Sequence, residues 1–257
     1  MSNDGKNPMS KAQQLARPVL PRRFYQQASV GPHEGGYAVL LDGRVAKTPA
    51  RKPLVVSRRD VAEALAAEWE AQSGEIHPAT MPLTRLVNSA IDRVTGEMAA
   101  VRDDIVKHAA SDMLFYRAEG PQSLIDIENR LWTPILTASE RALGIRFVLS
   151  EGIVHVSQDP AVLAAVARAV EPFDALSLAA LHSVTTLTGS ALIALAVARG
   201  DLTVAEAWEA AHADEDWQMS HWGRDDMALS ERADRWREME AAAFVLGVAR
   251  SEVRRPG

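Results

Sequence analysis

From Asp214 to Gly223 the chain reads DEDWQMSHWG, three consecutive acids set beside two tryptophans and a histidine within ten positions. Carboxylates and imidazole at that density can ligate a metal, trade protons as an acid/base pair, or display charge to a partner. A metal needs converging ligands. His212 and Asp216, four apart, meet that minimum on a helix, and His108 with Asp112 repeats the spacing. Each pair reads better as a helix-surface hydrogen bond; His221 falls on another face, and no HExxH pattern exists. No metal or other cofactor is expected. Nucleophilic chemistry has no better footing, because the sequence lacks a GxSxG elbow, a Walker loop and a GxGxxG turn after a strand.

Spacing sorts the three acids. With Thr203 to Trp222 read as one helix and Trp208 at zero degrees, Val204, Ala211, Glu215 and Trp222 fall within about 60° of it, and Met219 at the margin. Glu215 therefore sits in the apolar stripe, while Asp214 and Asp216 turn to solvated flanks. A carboxylate among tryptophans is costly to bury unpaired, so Glu215 is either bonded to a cation of this chain or placed where a partner meets it. Spacing alone leaves both readings open.

The composition narrows what such a site could serve. The 257 residues are 47% hydrophobic, enough for a substantial core. Cysteine is absent, which removes disulfides, zinc ribbons and thiol catalysis. A net charge of -6, from 28 basic and 34 acidic residues, implies no general affinity for nucleic acid or an anionic membrane. The uncharged run from Ala175 to Ala198 is long enough to span a bilayer, but its serines, threonines, His182 and Gly189 argue for one central helix buried by other helices.

The elements that must position the site follow from local pattern. The first 23 residues carry five basic side chains (Lys6, Lys11, Arg17, Arg22, Arg23) with Pro8, Pro18 and Pro21, and read as a flexible arm over 1–22. GYAVLL and RVAKT flank Asp42-Gly43, the dipeptide of a tight hairpin turn. PLVVS follows, then Ser57 with Asp60 as a capping box before a helix carrying Val61, Leu65 and Trp69 on one face. Pro78 and Pro82 mark a boundary, giving a β-rich unit over 23–82 and a helical unit over 83–257. Within the latter, Pro134 predicts a kink or restart in the helix from Gln122 to Leu143. IRFVL and IVHVS around Ser150-Glu151-Gly152 predict a β-hairpin near 145–157. Thr203 with Glu206 predicts a capped helix start. The fold class is α+β, a small β-rich N-terminal part followed by a larger, mainly α-helical part.

Ordered blocks along the chain carry a further signal: RRFYQQASV, LDGRVAKTPARKPL, EWEAQ, IHPATMPLTRLVNSAIDRV, SDMLFYRAEGP, and GSALIALAVARGDLTVAEAWEAAHADEDWQMSHWG. Over about Arg22 to Phe244 the sequence resembles the assembly chaperones of the F-type ATP synthase, the family specific for the alpha subunit. The resemblance implies a non-enzymatic protein that holds unassembled alpha subunit and shields its beta-facing surface. It also implies an acidic residue of the DEDWQMSHWG block in function, which Glu215 fits best, and a partner-binding set of Glu215, Trp208, Gln218, Met219 and Trp222. One segment departs from the family: ENRLWTPIL has Glu128 and Thr133 where Gln and Asp are usual. The expectation is a monomer in a bacterial cytoplasm, with the mitochondrial matrix as alternative, and no membrane insertion. Two other functions share these features: a chaperone for a different client, and a small-molecule enzyme with its site between the two parts, using His108, Asp112 and Glu215 as acid/base groups.

Overall fold

The computed structural model describes residues 20–152, 154–222 and 226–253, with backbone alone at 222, 226–228 and 248–253. The expected arm over 1–22 lies outside the described residues except for 20–22.

Strands β1 (Ala28–His33) and β2 (Gly36–Leu41) pair antiparallel from Ala28↔Leu41 to His33↔Gly36. Asp42 and Gly43 both take positive φ, 48° and 77°, and return the chain into β3 (Arg44–Val45), so the Asp-Gly hairpin forms as expected. β4 (Val55–Val56) also pairs with β2. Helix α1 (Arg59–Glu70) buries Val61, Ala62, Leu65 and Ala66 against this sheet.

The expected Ser57 capping box does not form. Arg58 takes the N-cap position, where its guanidinium, a donor only, cannot accept from the first N–H groups, and the side chain turns inward. It donates to Ser177 Oγ at 3.0 Å and Val245 O at 3.2 Å, with Asp174 3.7 Å away. Glu68 reaches the next helix, α2 (Pro82–Ser89), and accepts the Leu83 and Thr84 N–H groups at 2.8 and 2.7 Å. An anion at a helix N-terminus satisfies orphan donors and favours the dipole. These two side chains tie the sheet region to the helices, and one hydrophobic core runs through both.

Beyond α2 a π-helical turn (Ala90–Val94) leads into α3 (Thr95–Ala110), and a 3₁₀ turn (Met113–Phe115) into β5 (Tyr116–Arg117). Helix α4 (Gln122–Leu143) runs through Pro134 without a restart, since Trp132, Ile135 and Leu136 anchor both sides of the proline in the core. The segment 145–157 is not a hairpin. Its strand β6 (Ser150–Glu151) pairs in parallel with β5, and the Gln158 amide bridges Val148 N and O at 3.0 and 2.7 Å, taking the role a second strand would have had.

Helix α5 (Pro160–Val170) precedes a second correction: the run from Ala175 to Ala198 is two helices, α6 (Ala175–Thr188) and α7 (Ala191–Arg199). Gly189 takes φ +67° as the C-terminal cap, and Ser190 accepts from Ile193 N at 3.0 Å as the N-cap of α7. Helix α7 is almost wholly buried at the centre of the helical part, and α6 buries one face there while Thr186 is exposed. Among the described residues, no helix is long and apolar enough to cross a membrane. Helix α8 (Val204–Ala211) begins with the expected Thr203/Glu206 capping box, α9 (Ala213–Trp222) follows it, and α10 (Asp226–Val253) packs back on α6, α7 and α2.

Candidate functional site

The DEDWQMSHWG block lies on α9, and one residue decides its orientation. His212 leaves helical geometry at φ −114° and ψ 18°, so Thr203 to Trp222 is two helices rather than one. Its ring stacks on Trp208 at 3.9 Å between centroids, Nδ1–H donates to Trp208 O at 2.9 Å, and the side chain is 2% exposed. Burial lowers the His212 pKa. Trp208, edge-on to Trp236 at 5.3 Å, therefore belongs to the packed junction of α8 and α10. It does not continue one stripe with Glu215, because the break at His212 rotates the two segments apart.

That rotation exchanges the expected roles of the acids. Asp214, expected in solvent, turns inward: burial raises its pKa, Glu215 adds to the rise, and its Oδ1 is buried with no hydrogen-bond partner among the described residues. Asp216 forms a double ion pair with Arg232, Oδ1 to Nη1 at 2.7 Å and Oδ2 to Nη2 at 2.9 Å. Glu215 is the outermost. Its side chain is 58% exposed, and Arg232 approaches only to 4.0 Å. It stands on the solvent side rather than in an apolar stripe. Gln218, three residues on, is exposed as well, and Met219, four on, is half-buried, so α9 presents the three along one ridge. Trp222 falls on the same ridge by spacing, but its side chain lies outside the described residues.

The inward side of α9 rests on α4. Trp217 Nε1 donates to Ser123 Oγ at 3.1 Å, and α8 meets the same helix, where Arg130 pairs with Glu209 at 3.2 Å and the buried Trp132 Nε1 donates to Ala210 O at 2.8 Å. Glu128, near enough to Asp214 for the two charges to interact, and the exposed Thr133 are the two positions where the sequence departs from the family it resembles. Glu128 is 2% exposed and accepts Ala118 N through both oxygens, at 3.0 and 3.2 Å. Burial raises its pKa, and the Asp214 charge pushes the same way. Thr133 Oγ accepts from Arg117 Nη2 at 3.2 Å, and the Arg117 guanidinium lies 5.3 Å from the Trp132 ring centroid. Glu128 thus holds the backbone just after β5 and Thr133 the last residue of β5, and sequence reading missed Arg117 because it lies far from α9 along the chain.

The other acid/base candidates are used structurally. Asp112 is fully buried and accepts from Ser190 Oγ at 2.9 Å, Leu192 N at 3.0 Å and Leu114 N at 3.2 Å, tying α7 to the 3₁₀ turn. Burial outweighs these bonds and its pKa is pushed up to about 6. His108 turns away from Asp112 and meets Asp104, through the backbone oxygen at 2.9 Å and the carboxylate at 3.9 Å. The proposed triad of His108, Asp112 and Glu215 is not assembled. His212 and Asp216 do not converge either, since Asp216 is held by Arg232. Among the described residues no cluster of three acids or imidazoles could hold a metal ion.

Comparison with known proteins agrees with this architecture. The family model described as ATP12 chaperone protein matches residues 22–140. A crystal structure of an Agrobacterium tumefaciens protein, described there as a candidate chaperone, is 43% identical with TM-score 0.85, covering 95% of this chain and 92% of that one. Atp12 from Paracoccus denitrificans is 35% identical with TM-score 0.82, covering 88% and 97%. The mitochondrial protein atp12 of Schizosaccharomyces pombe is 22% identical over 214 residues, 79% of this chain and 74% of the relative. A two-part α+β protein with these relatives is of the chaperone class. The chain belongs to the ATP12 chaperone family, the assembly chaperones of ATP synthase.

Proposed function

We propose that this chain binds the unassembled alpha subunit of ATP synthase and covers its beta-facing surface until the catalytic head forms. The observation that carries the reading is the exposed, weakly paired Glu215 beside Gln218 on a helix whose other face is packed on α4. The resemblance of the ordered sequence blocks to the alpha-specific family supports the identity of the client. An unassembled subunit exposes apolar interface, and a chaperone covers it reversibly with apolar surface and a few oriented charges. The contact must stay replaceable by the beta subunit, as in a modest rather than obligate interface.

The reading is non-enzymatic, supported by the structural use of Asp112, His108 and Asp216. A bacterial cytoplasm is favoured by the higher identity to the two bacterial structures, 43% and 35%, than to the mitochondrial relative at 22%. Immobilised protein offered purified alpha subunit, purified beta subunit and assembled head should retain alpha alone. Preferential retention of beta, or of the assembled head, contradicts the reading.

A further inference from the structure

At the opposite end of the chain, between the small sheet and α2, lies an open groove of about 800 Å³ that the α9 site does not use. Its wall carries Phe24, 71% exposed among the described residues, with the Tyr25 ring edge-on at 5.3 Å. Arg44, Lys47 and Arg51 line the same groove, all exposed, and no hydrogen bond or ion pair engages their side chains among the described residues. The nearby acids are already engaged: Asp42 accepts the Gln26 and Gln27 N–H groups, and Asp92 accepts from Thr48 Oγ and Ala50 N. The groove therefore presents net positive charge beside an exposed aromatic ring.

Two lining residues add a hydrogen-bonding signal. Trp69 Nε1–H and Asn88 Oδ1 are both buried and both without a partner among the described residues, a donor and an acceptor left unused. Buried polar atoms of this kind are ordinarily satisfied. An extended segment alternates its side chains, so acidic ones can meet the three cations while apolar ones cover Phe24.

We propose that this groove docks an extended acidic segment of a partner polypeptide, a second contact surface independent of α9 and of the client's identity. The Trp69 indole N–H resonance, assigned with Trp69→Phe, reports occupancy directly. The probes are a twelve-residue peptide alternating leucine and glutamate, its leucine/glutamine counterpart, and inorganic phosphate. The glutamate peptide should displace the Trp69 resonance saturably and bind less well as salt rises. The double variant Arg44→Glu/Lys47→Glu, with both sites exposed and the melting temperature unchanged, should lower its affinity about tenfold. Four results would overturn the proposal: no displacement at millimolar peptide, equal binding of the glutamine peptide, unaltered binding by the double variant, or the same displacement by phosphate alone, which would make the groove a small-anion site.

Discussion

Asp216 and Arg232 face each other across α9 and α10 through one hydrogen bond of 2.9 Å and a second charge contact of 2.7 Å, and the same guanidinium lies 5.8 Å from the Trp208 ring centroid. The arginine is committed to Asp216, which leaves Glu215 at 4.0 Å as a bystander. Asp216→Ala should lower stability by about 0.5–1 kcal/mol, the range of a partly exposed pair, and the loss should shrink in 1 M salt. Urea denaturation at two ionic strengths measures both effects.

Asp214 and Glu128 set a pH dependence. Burial holds both carboxyls above their ordinary values, so between those values and the raised ones the folded chain binds more protons than the unfolded chain. Their contribution to stability is complete below the ordinary carboxylate range and is lost as pH rises through the folded pKa values. Glu128→Gln/Asp214→Asn should flatten that decline. Denaturation midpoints for the wild type and the double variant, compared from about pH 4 to about pH 7, should converge at the acid end and separate toward neutrality, with the variant the more stable.

Arg58 joins the sheet region to α6 and α10 by donating to Ser177 Oγ and Val245 O while 4% exposed. Arg58→Met keeps the aliphatic stem and strands both acceptors. A loss of about 1–3 kcal/mol is expected, still within a single unfolding transition, because one core spans both parts. Two separate transitions in calorimetry would contradict that unity.

Gly189 ends α6 with φ +67°, and a Cβ there would meet only Met113 Sδ at 3.8 Å. Gly189→Ala should therefore cost about 1 kcal/mol through left-handed backbone strain, with Gly189→Asn milder. An overpacked core would penalise the larger side chain more, so the order of the two variants identifies the cause.

Local signals in the sequence held where nothing distant competes: the Ser57/Asp60 box is lost to Arg58, which takes the N-cap and reaches Ser177 and Val245, and the Ser150-Glu151-Gly152 hairpin to the parallel pairing of β6 with β5. Asp42-Gly43 forms its hairpin and Thr203/Glu206 its box, because each needs only neighbours. Gly189-Ser190 carried a readable stop and start, hidden by apolar runs on both sides that suggest continuity. The break at His212 had no such mark, and everything read from one continuous helix shifted with it: Asp214 moved in, Glu215 moved out, and Trp208 joined the core. The parallel pairing of Tyr116-Arg117 with Ser150-Glu151 and the reach of Arg58 to Val245 join residues distant in sequence, which no periodicity encodes.

On the proposed function, α9 meets the alpha subunit through Glu215. Glu215→Gln keeps the side chain's shape and deletes its charge; with 58% of that side chain exposed and Arg232 held by Asp216, the fold should be unaffected. The measurement is the affinity for purified alpha subunit, by calorimetry, taken beside the melting temperature. The account predicts an unchanged melting temperature and a dissociation constant raised about tenfold, some 1.4 kcal/mol. A variant that melts normally and binds alpha subunit at full strength would contradict it.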